Sequence, residues 1–398
     1  MKVNEPDFFL DIDCKQNNHH GEFICGDVFI SRRIKEDGRT IVVLSDGMGS
    51  GVKANVLATL TASMAVNFTV EHKEVQKTAE IIMNTLPVCS VRKVSYSTFT
   101  IIDIDDEGST TIVDYDNPRC LIMRTHRPFD PGWSEITLES KQHKGKILYT
   151  CHFRARKEDR IFFWSDGIVQ SGMGTKTLPF GWGREEAEKY VVKSVKNTPY
   201  ISSAKLSRKI VNMASLNDGG SPLDDTSCGI IYLREPRKLL FVTGPPFEEK
   251  KDVDFALMVQ KFGGKKIVSG GTTAEIIARE LGLKFSASLE MSDPDLPPAA
   301  QMEGIDLVTE GILTLGKVAR ILKDSEKKDD ATGKGPAHQI VKLFLESDKI
   351  HIINGTRINV AHQDPNLPVE LEIRRTVVKQ IASLLEEKFL KEVSVEYI

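Results

Sequence analysis

The chain has 398 residues, with 53 Lys and Arg against 56 Asp and Glu, for a net charge of −3. That length carries two or three domains with ample core, and the near-neutral balance argues against a polyanion-binding surface over the whole molecule, so no nucleic-acid partner is expected. No apolar run reaches the ~18–20 residues of a membrane span. The start, Met1-Lys2-Val3-Asn4-Glu5-Pro6, lacks the positive flank and apolar stretch of a secretion signal, so no membrane partner is expected either. The six cysteines, at 14, 25, 89, 120, 151 and 228, contain no Cys-x-x-Cys pair. Neither a zinc site nor a disulfide framework fits that scatter, and a reducing cytoplasm is the expected location.

Short runs rich in β-branched and aromatic residues predict strands at Phe8–Asp13, Glu22–Ile30 and Arg39–Leu44, with a hairpin turn at Lys35-Glu36-Asp37-Gly38. Val52, Val56, Leu60 and Met64 recur every four residues and place one apolar stripe on a helix over Val52–Phe68. A second helix is predicted over Lys73–Leu86, ending before Pro87. A second hairpin follows at Ser97–Ile104 and Ser109–Tyr115, then strands at Arg119–Arg124 and Arg160–Trp164. Helices at Arg184–Val195 and Ser202–Met213 precede a last strand at Cys228–Leu233. Strands meeting at tight turns, with helices segregated between them, predict an α+β domain built on antiparallel sheets.

After Arg234-Glu235-Pro236 the pattern changes to alternation. Strands are predicted at Lys238–Thr243, Lys265–Ser269, Ile305–Val308, Lys349–Ile353 and Glu392–Tyr397. Helices are predicted at Phe247–Phe262, Thr272–Leu281, after Val308 to about Leu322, Ala337–Leu345 and Glu370–Phe389, with a solvated loop at Lys323–Lys334. This predicts a doubly wound α/β domain over 236–398, following an α+β domain over 1–235.

Four aspartates of the first domain share one placement, at or beside the end of a hydrophobic strand. Asp27 follows Gly26; Asp46 opens Asp46-Gly47-Met48-Gly49-Ser50-Gly51; Asp166 precedes Gly167; Asp225 lies in Asp224-Asp225-Thr226-Ser227. Each alone reads as a turn, since Asp-Gly is common there. Two strands, however, end in the same Ser-Asp-Gly, Ser45-Asp46-Gly47 and Ser165-Asp166-Gly167, with no Lys or Arg beside either. Carboxylates converging to ~4 Å would repel by several kcal/mol at an effective dielectric near 20. Hard divalent cations with oxygen ligands remove that repulsion, which favours Mg²⁺ or Mn²⁺. Gly47 would let its carbonyl approach a metal. A phosphate-cradling loop is the alternative for Gly47–Gly51, but the Gly-Lys-Ser/Thr ending is absent and Gly-x-Gly-x-x-Gly fails at Val52.

The ordered set Gly26-Asp27, Ser45–Gly51, Ser165-Asp166-Gly167 and Asp224–Ser227, with intervals of 19, 120 and 59 between the aspartates, resembles the metal-dependent PPM (2C-type) serine/threonine protein phosphatases. It is most similar to the bacterial branch typified by the stage II sporulation phosphatase E, over roughly residues 1–235. The resemblance implies a β-sandwich flanked by helices and a two-ion Mn²⁺ or Mg²⁺ site at one edge. Asp27, Asp46, Asp166 and Asp225 would ligate directly or through water, and Gly47 through its carbonyl. It further implies a phosphorylated protein substrate and in-line attack by a water that the ions acidify. A signalling role in bacteria and regulation through the helices over Lys53–Leu86 are implied as well. A homodimer is compatible with these features.

Two departures stand out. Many eukaryotic members carry His after the motif glycine, where this chain has Met48, so the group that protonates the leaving alkoxide is unassigned. No acid over 167–200 matches a third-metal aspartate; Glu185, Glu186 and Glu188 sit at helical spacing as a solvated face. The membrane region that precedes the domain in the sporulation phosphatase has no counterpart ahead of Gly26-Asp27, and a membrane role is not expected. His19-His20 reads as a solvated turn, and Trp133, Trp164 and Trp182 as packing residues.

In the α/β domain, strand ends carry small or polar residues: Gly244, Gly270-Gly271-Thr272-Thr273, Glu310 and Asn354. Such ends form the ligand crevice of open parallel sheets, so a small anionic effector is the expected ligand, against the plainer reading of turns and caps. Arg374-Arg375 would add charge, although a long helix usually exposes such a pair. Two rival functions stay open: a non-catalytic phosphoprotein-binding module, and a nucleotide- or phosphometabolite-binding protein acting through the second domain.

Overall fold

A computed structural model describes residues 8–34, 36–71, 75–85, 97–138, 144–287, 293–325, 333–357, 367–389 and 391–398. Cys89 and most of the loop predicted over Lys323–Lys334 lie outside the described residues. The chain divides into two compact units, Met1–Glu235 and Pro236–Ile398. Among the described residues no helix is long and apolar enough to cross a membrane.

The first unit is a two-sheet sandwich with helices on both outer faces. Its elements are β1 (Phe9–Asn17), β2 (Asp27–Ile34), β3 (Arg39–Gly47), α1 (Gly51–Val70), α2 (Val75–Thr85), β4 (Ser97–Asp105), β5 (Ser109–Tyr115), β6 (Leu121–Arg124), β7 (Arg127–Pro128), β8 (Ser134–Thr137), β9 (Ile147–Arg154), β10 (Asp159–Trp164), α3 (Asp166–Gln170), α4 (Arg184–Asn197), α5 (Ser203–Asn217) and β11 (Thr226–Arg234). One sheet runs β1-β11-β10-β6-β7 and the other β2-β3-β4-β5-β9-β8, all antiparallel.

Strand alternation explains the four-layer packing. On β3, Val42 and Leu44 point between the sheets, where they meet Ile102, Ile161, Phe163 and Ile231. Ile41 and Val43 point outward under Ala62, Ala65 and Val66 of α1 and Ile82 of α2. On the opposite face Phe162, Trp164 and Ile230 pack against Val191 of α4 and Leu206 and Ile210 of α5. A strand covered on both faces must be apolar at every position, which is why Ile41–Leu44 reads as a continuous run.

The structure corrects several expectations. β2 begins at Asp27, because the residues from Glu22 turn back into it. β1 continues to Asn17, paired along its length with β11. β7, β8 and β9 were not legible, being short or mixed in polarity. The stripe Val52, Val56, Leu60 is outward, at 68, 60 and 47 % exposure. The face of α1 that packs on the sheet is instead Ala54, Ala58, Thr61, Ala62, Ala65 and Val66. Small side chains let helix and sheet approach closely, and that geometry outweighs the volume of the valines.

Asp114 on β5 is fully buried, accepting from Thr100 Oγ1 at 2.6 Å and from the Cys120 amide at 3.3 Å. Burial pushes its carboxyl up to about 6. A native acid weaker than its unfolded form binds more protons than the unfolded chain between the two values, so stability falls as pH rises from ~4 to 6 and is flat above. Asp114→Asn should therefore gain stability relative to wild type across that window and hold the gain at pH 7–8. Melting temperatures measured at pH 4.5 and 7.5 test this, and an unchanged difference between the two pH values would refute it.

The second unit contains β12 (Lys238–Thr243), α6 (Asp252–Lys261), β13 (Lys265–Ser269), α7 (Gly271–Leu281), β14 (Phe285–Ala287), β15 (Ala300–Met302), β16 (Ile305–Thr309), α8 (Ile312–Asp324), α9 (Pro336–Glu346), β17 (Lys349–Asn354), α10 (Leu367–Glu387) and β18 (Glu392–Tyr397). The parallel strands stand in the order β16-β13-β12-β17-β18, with β14 and β15 adding an antiparallel edge that the sequence reading missed. α6 starts later than expected: Pro245 and Pro246 precede it, and a 3₁₀ turn at Glu249–Lys251 leads into it. α8, α9 and α10 cover one face of the sheet, α6 and α7 the other.

Candidate metal centre

The four sequence-selected aspartates gather at one edge of the sandwich. Asp27 opens β2 and Asp46 lies at the end of β3, directly opposite each other in the antiparallel register. The facing sheet contributes Asp166, which opens α3 just after β10, and Asp225, which immediately precedes β11. A hydroxyl ties the two sheets there: Ser227 Oγ donates to Asp27 Oδ2 at 2.6 Å, while within its own sheet Ser227 N–H donates to Ser165 Oγ at 2.9 Å. Gln16 Nε2 donates to the Asp27 carbonyl at 3.2 Å.

The principal charges acting on Asp27, Asp46 and Asp166 are acidic neighbours, with no cationic side chain among them. Burial pushes Asp27 up to about 7, against hydrogen bonds from Ser227 and Ser165, with Asp225 and Asp166 adding repulsion. Burial also raises Asp46 well above the carboxylate range, helped by Asp27, Asp166 and Asp224 and by a hydrogen bond with Asp166. Asp166 is raised chiefly by burial, while Gln170 Nε2 donates to its Oδ2 at 2.7 Å. Sharing a proton between Asp46 and Asp166 is what two uncompensated carboxyls do in one place.

Asp224 was missed by the sequence reading. Its carboxyl is pushed up to about 6 by burial and then by Asp166, and it in turn acts on Asp46. Asp225 turns toward the other side: its Oδ1 accepts the His19 amide at 3.0 Å, and its Oδ2 lies 2.6 Å from where a Gly26 Cβ would stand. Successive side chains in extended backbone point in opposite directions, so an Asp-Asp pair offers both faces and spacing alone cannot choose between them. His19 also corrects the reading of a solvated turn, since its Nδ1 is buried with no hydrogen-bond partner among the described residues and its charge bears on Asp224. His20 is exposed.

Gly47 has a packing reason to be glycine beyond the one expected. A Cβ there would lie 2.1 Å from the Ala54 carbonyl oxygen of α1 and 2.6 Å from its carbonyl carbon. Ser97 Oγ donates to the Asp46 carbonyl at 2.9 Å and meets Ser45 Oγ at 2.6 Å, which fixes the end of β3.

The donor chemistry fits divalent cations. Every contributing group is oxygen, and Asp27 Oδ1 and Asp225 Oδ2 are buried without a hydrogen-bond partner among the described residues. Among those residues no three His, Cys, Asp or Glu side chains converge as closely as a finished metal site requires. Glu185, Glu186 and Glu188 lie apart on α4, where Glu186 and Glu188 pair with Lys189 and Arg184.

The family model for stage II sporulation protein E (SpoIIE) matches residues 36–234, half of the chain. No curated protein matches the sequence. Among solved structures, the chain is similar to the PP2C phosphatase domain with a fragment of the regulatory domain of SpoIIE from Bacillus subtilis. That match has 13 % identity over 57 % of this chain and 64 % of that one, with a TM-score of 0.46. RsbX in complex with magnesium matches at 17 % identity over 57 % and 99 %, TM-score 0.39. A serine/threonine phosphatase of S. agalactiae matches at 13 % identity over 57 % and 100 %, TM-score 0.38. The chain thus spans a little under two thirds of the first of these. With the family model matched over half of its length, the chain belongs to the SpoIIE family.

Proposed function

We propose that the first unit hydrolyses phosphoserine or phosphothreonine on a protein substrate, in bacterial signalling within a reducing cytoplasm, with two Mn²⁺ or Mg²⁺ ions at the acidic edge. The observation that carries this reading is the concentration of Asp27, Asp46, Asp166 and Asp224 at one sandwich edge, all with raised carboxyls and no Lys or Arg among the principal charges acting on them. Asp46, Asp166 and Asp224 would hold the ions, with the Gly47 carbonyl beside them. Asp27 and Asp225 would offer Oδ1 and Oδ2, unpaired among the described residues, to the ions directly or through water, with Ser227 and the His19 amide holding the opposite oxygens. Bound divalent ions would neutralise the phosphoryl oxygens and acidify a water nucleophile. Gln170 orients Asp166. Met48 carries no proton to give the leaving alkoxide, so that proton comes from another group or from solvent.

Hydrolysis of a phosphoserine peptide and of p-nitrophenyl phosphate is expected with Mn²⁺ or Mg²⁺, and should stop on chelation. Metal uptake by calorimetry without turnover would favour the non-catalytic binding module. No uptake at all would sink the reading.

A further inference from the structure

The second unit carries a feature that the phosphatase reading does not use and that stands independently of it. Numbered along the chain, its parallel strands lie in the order 3-2-1-4-5, so the chain reverses direction across the sheet between β12 and β17. The helices that follow those two strands, α6 and α10, pack on opposite faces of the sheet. Gly355 and Arg357 N–H still reach the Thr243 and Pro245 carbonyls just beyond the strand ends. Such a reversal point is where open parallel sheets form their ligand crevice. The register places Thr309, Ser269, Thr243, Asn354 and Tyr397 in one row across the five strand ends. Each lies in phase with the residues that face α8–α10, such as Phe241, Ile267, Leu307 and Ile352.

Two members of this polar row are satisfied and three are not. Thr309 Oγ1 and Ser269 Oγ both donate to the Glu310 carbonyl, at 3.0 and 2.9 Å. Thr243 is 0 % exposed and Asn354 3 %, yet Thr243 Oγ1 and Asn354 Oδ1 have no hydrogen-bond partner among the described residues. Tyr397 Oη, next in the row, has none either. Buried polar groups are almost always paired, so three adjacent exceptions at a reversal point call for an explanation.

The surroundings supply a charge. Gly244, at φ +79°, follows Thr243, and a Cβ on it would lie 2.5 Å from Arg374 Nη1. Arg374 is thus turned in from α10 toward the strand end, correcting the expectation that it is solvent-exposed, and it keeps other contacts as well. The expected anion-site residues divide: Gly244 and Asn354 belong to this crevice. Glu310 instead sits beside Gly271 at the start of α7, with its Oε1 3.7 Å from a Cβ built there. Thr272 and Thr273 lie in the first turn of that helix.

We propose that the β12–β17 crevice binds a small phosphorylated molecule, its phosphate against Arg374 and Gly244 and its polar part bonded to Thr243, Asn354 and Tyr397. The test is calorimetry on the full chain with pyrophosphate and with ADP, in chelator and without added metal. Wild type should bind at least one of them with one-to-one stoichiometry. Arg374→Gln and Asn354→Leu should each weaken that binding ~10-fold or more, and Asp46→Asn, in the other unit, should leave it unchanged. Thr243→Val should raise the melting temperature of the ligand-free chain by about 2–4 °C, because it removes an unpaired buried hydroxyl. Binding lost in Asp46→Asn and kept in Asn354→Leu would place the anion in the first unit and overturn the proposal. So would binding of neither probe, or a Thr243→Val chain that is less stable than wild type.

Discussion

Asp46→Asn is expected to lower metal-dependent phosphatase turnover by at least ~10²-fold while making the metal-free chain more stable. The two effects share one cause. Asp46 lies opposite Asp27 and shares a hydrogen bond with Asp166, and burial and its acidic neighbours raise its carboxyl. A raised native acid costs stability at every pH above its unfolded value, so the amide relieves a repulsion that the metal-free fold bears at neutral pH. The same change removes the charge that would attract a cation. Turnover with Mn²⁺ and melting temperature in chelator, measured on one preparation, separate this account from simple misfolding. A variant both inactive and destabilised in chelator would contradict it. Asp224→Asn should follow Asp46→Asn in both respects, because its carboxyl acts on Asp166 and Asp46. In Asp225→Asn the side-chain oxygen can still accept the His19 amide, and a smaller loss of turnover is expected.

Gly47→Ala is the second large effect. The added Cβ would come within 2.1 Å of the Ala54 carbonyl oxygen, with Ala54 C and Cα also inside 3.0 Å. All three atoms are backbone, so no rotamer change relieves the clash and either α1 or the end of β3 must shift. Overpacking of this kind costs about 1–3 kcal/mol. The shift falls on the residue next to Asp46, so turnover should drop by ~10²-fold or more even where the fold survives. Gly49→Ala is the control: nothing lies within 4 Å of its Cβ position, although φ +97° leaves some strain. Denaturant midpoints and turnover for both variants test the argument. Full activity in Gly47→Ala would show that α1 yields without disturbing the site.

What was legible in the sequence follows from local physics. The paired Ser-Asp-Gly ends, the apolar runs of β3, β10 and β12 and the shift to strand–helix alternation near Pro236 all lie within short windows, where strand periodicity and turn chemistry act. They were enough to reach an α+β domain of antiparallel sheets, the α/β unit and the acids worth examining, whereas the sandwich was implied by the family resemblance. Only the tertiary structure decided which face of α1 is buried. Periodicity in the sequence marks Val52, Val56 and Leu60, but the close approach at Gly47 selects the alanines. It likewise brought Asp224 into the cluster, because the turn before β11 sets which of two adjacent acids faces Asp166. Arg374 was beyond reach for a similar reason. It sits more than a hundred residues from Gly244, and their contact exists only because the parallel sheet sets β12 beside β17 and α10 packs back over that pair.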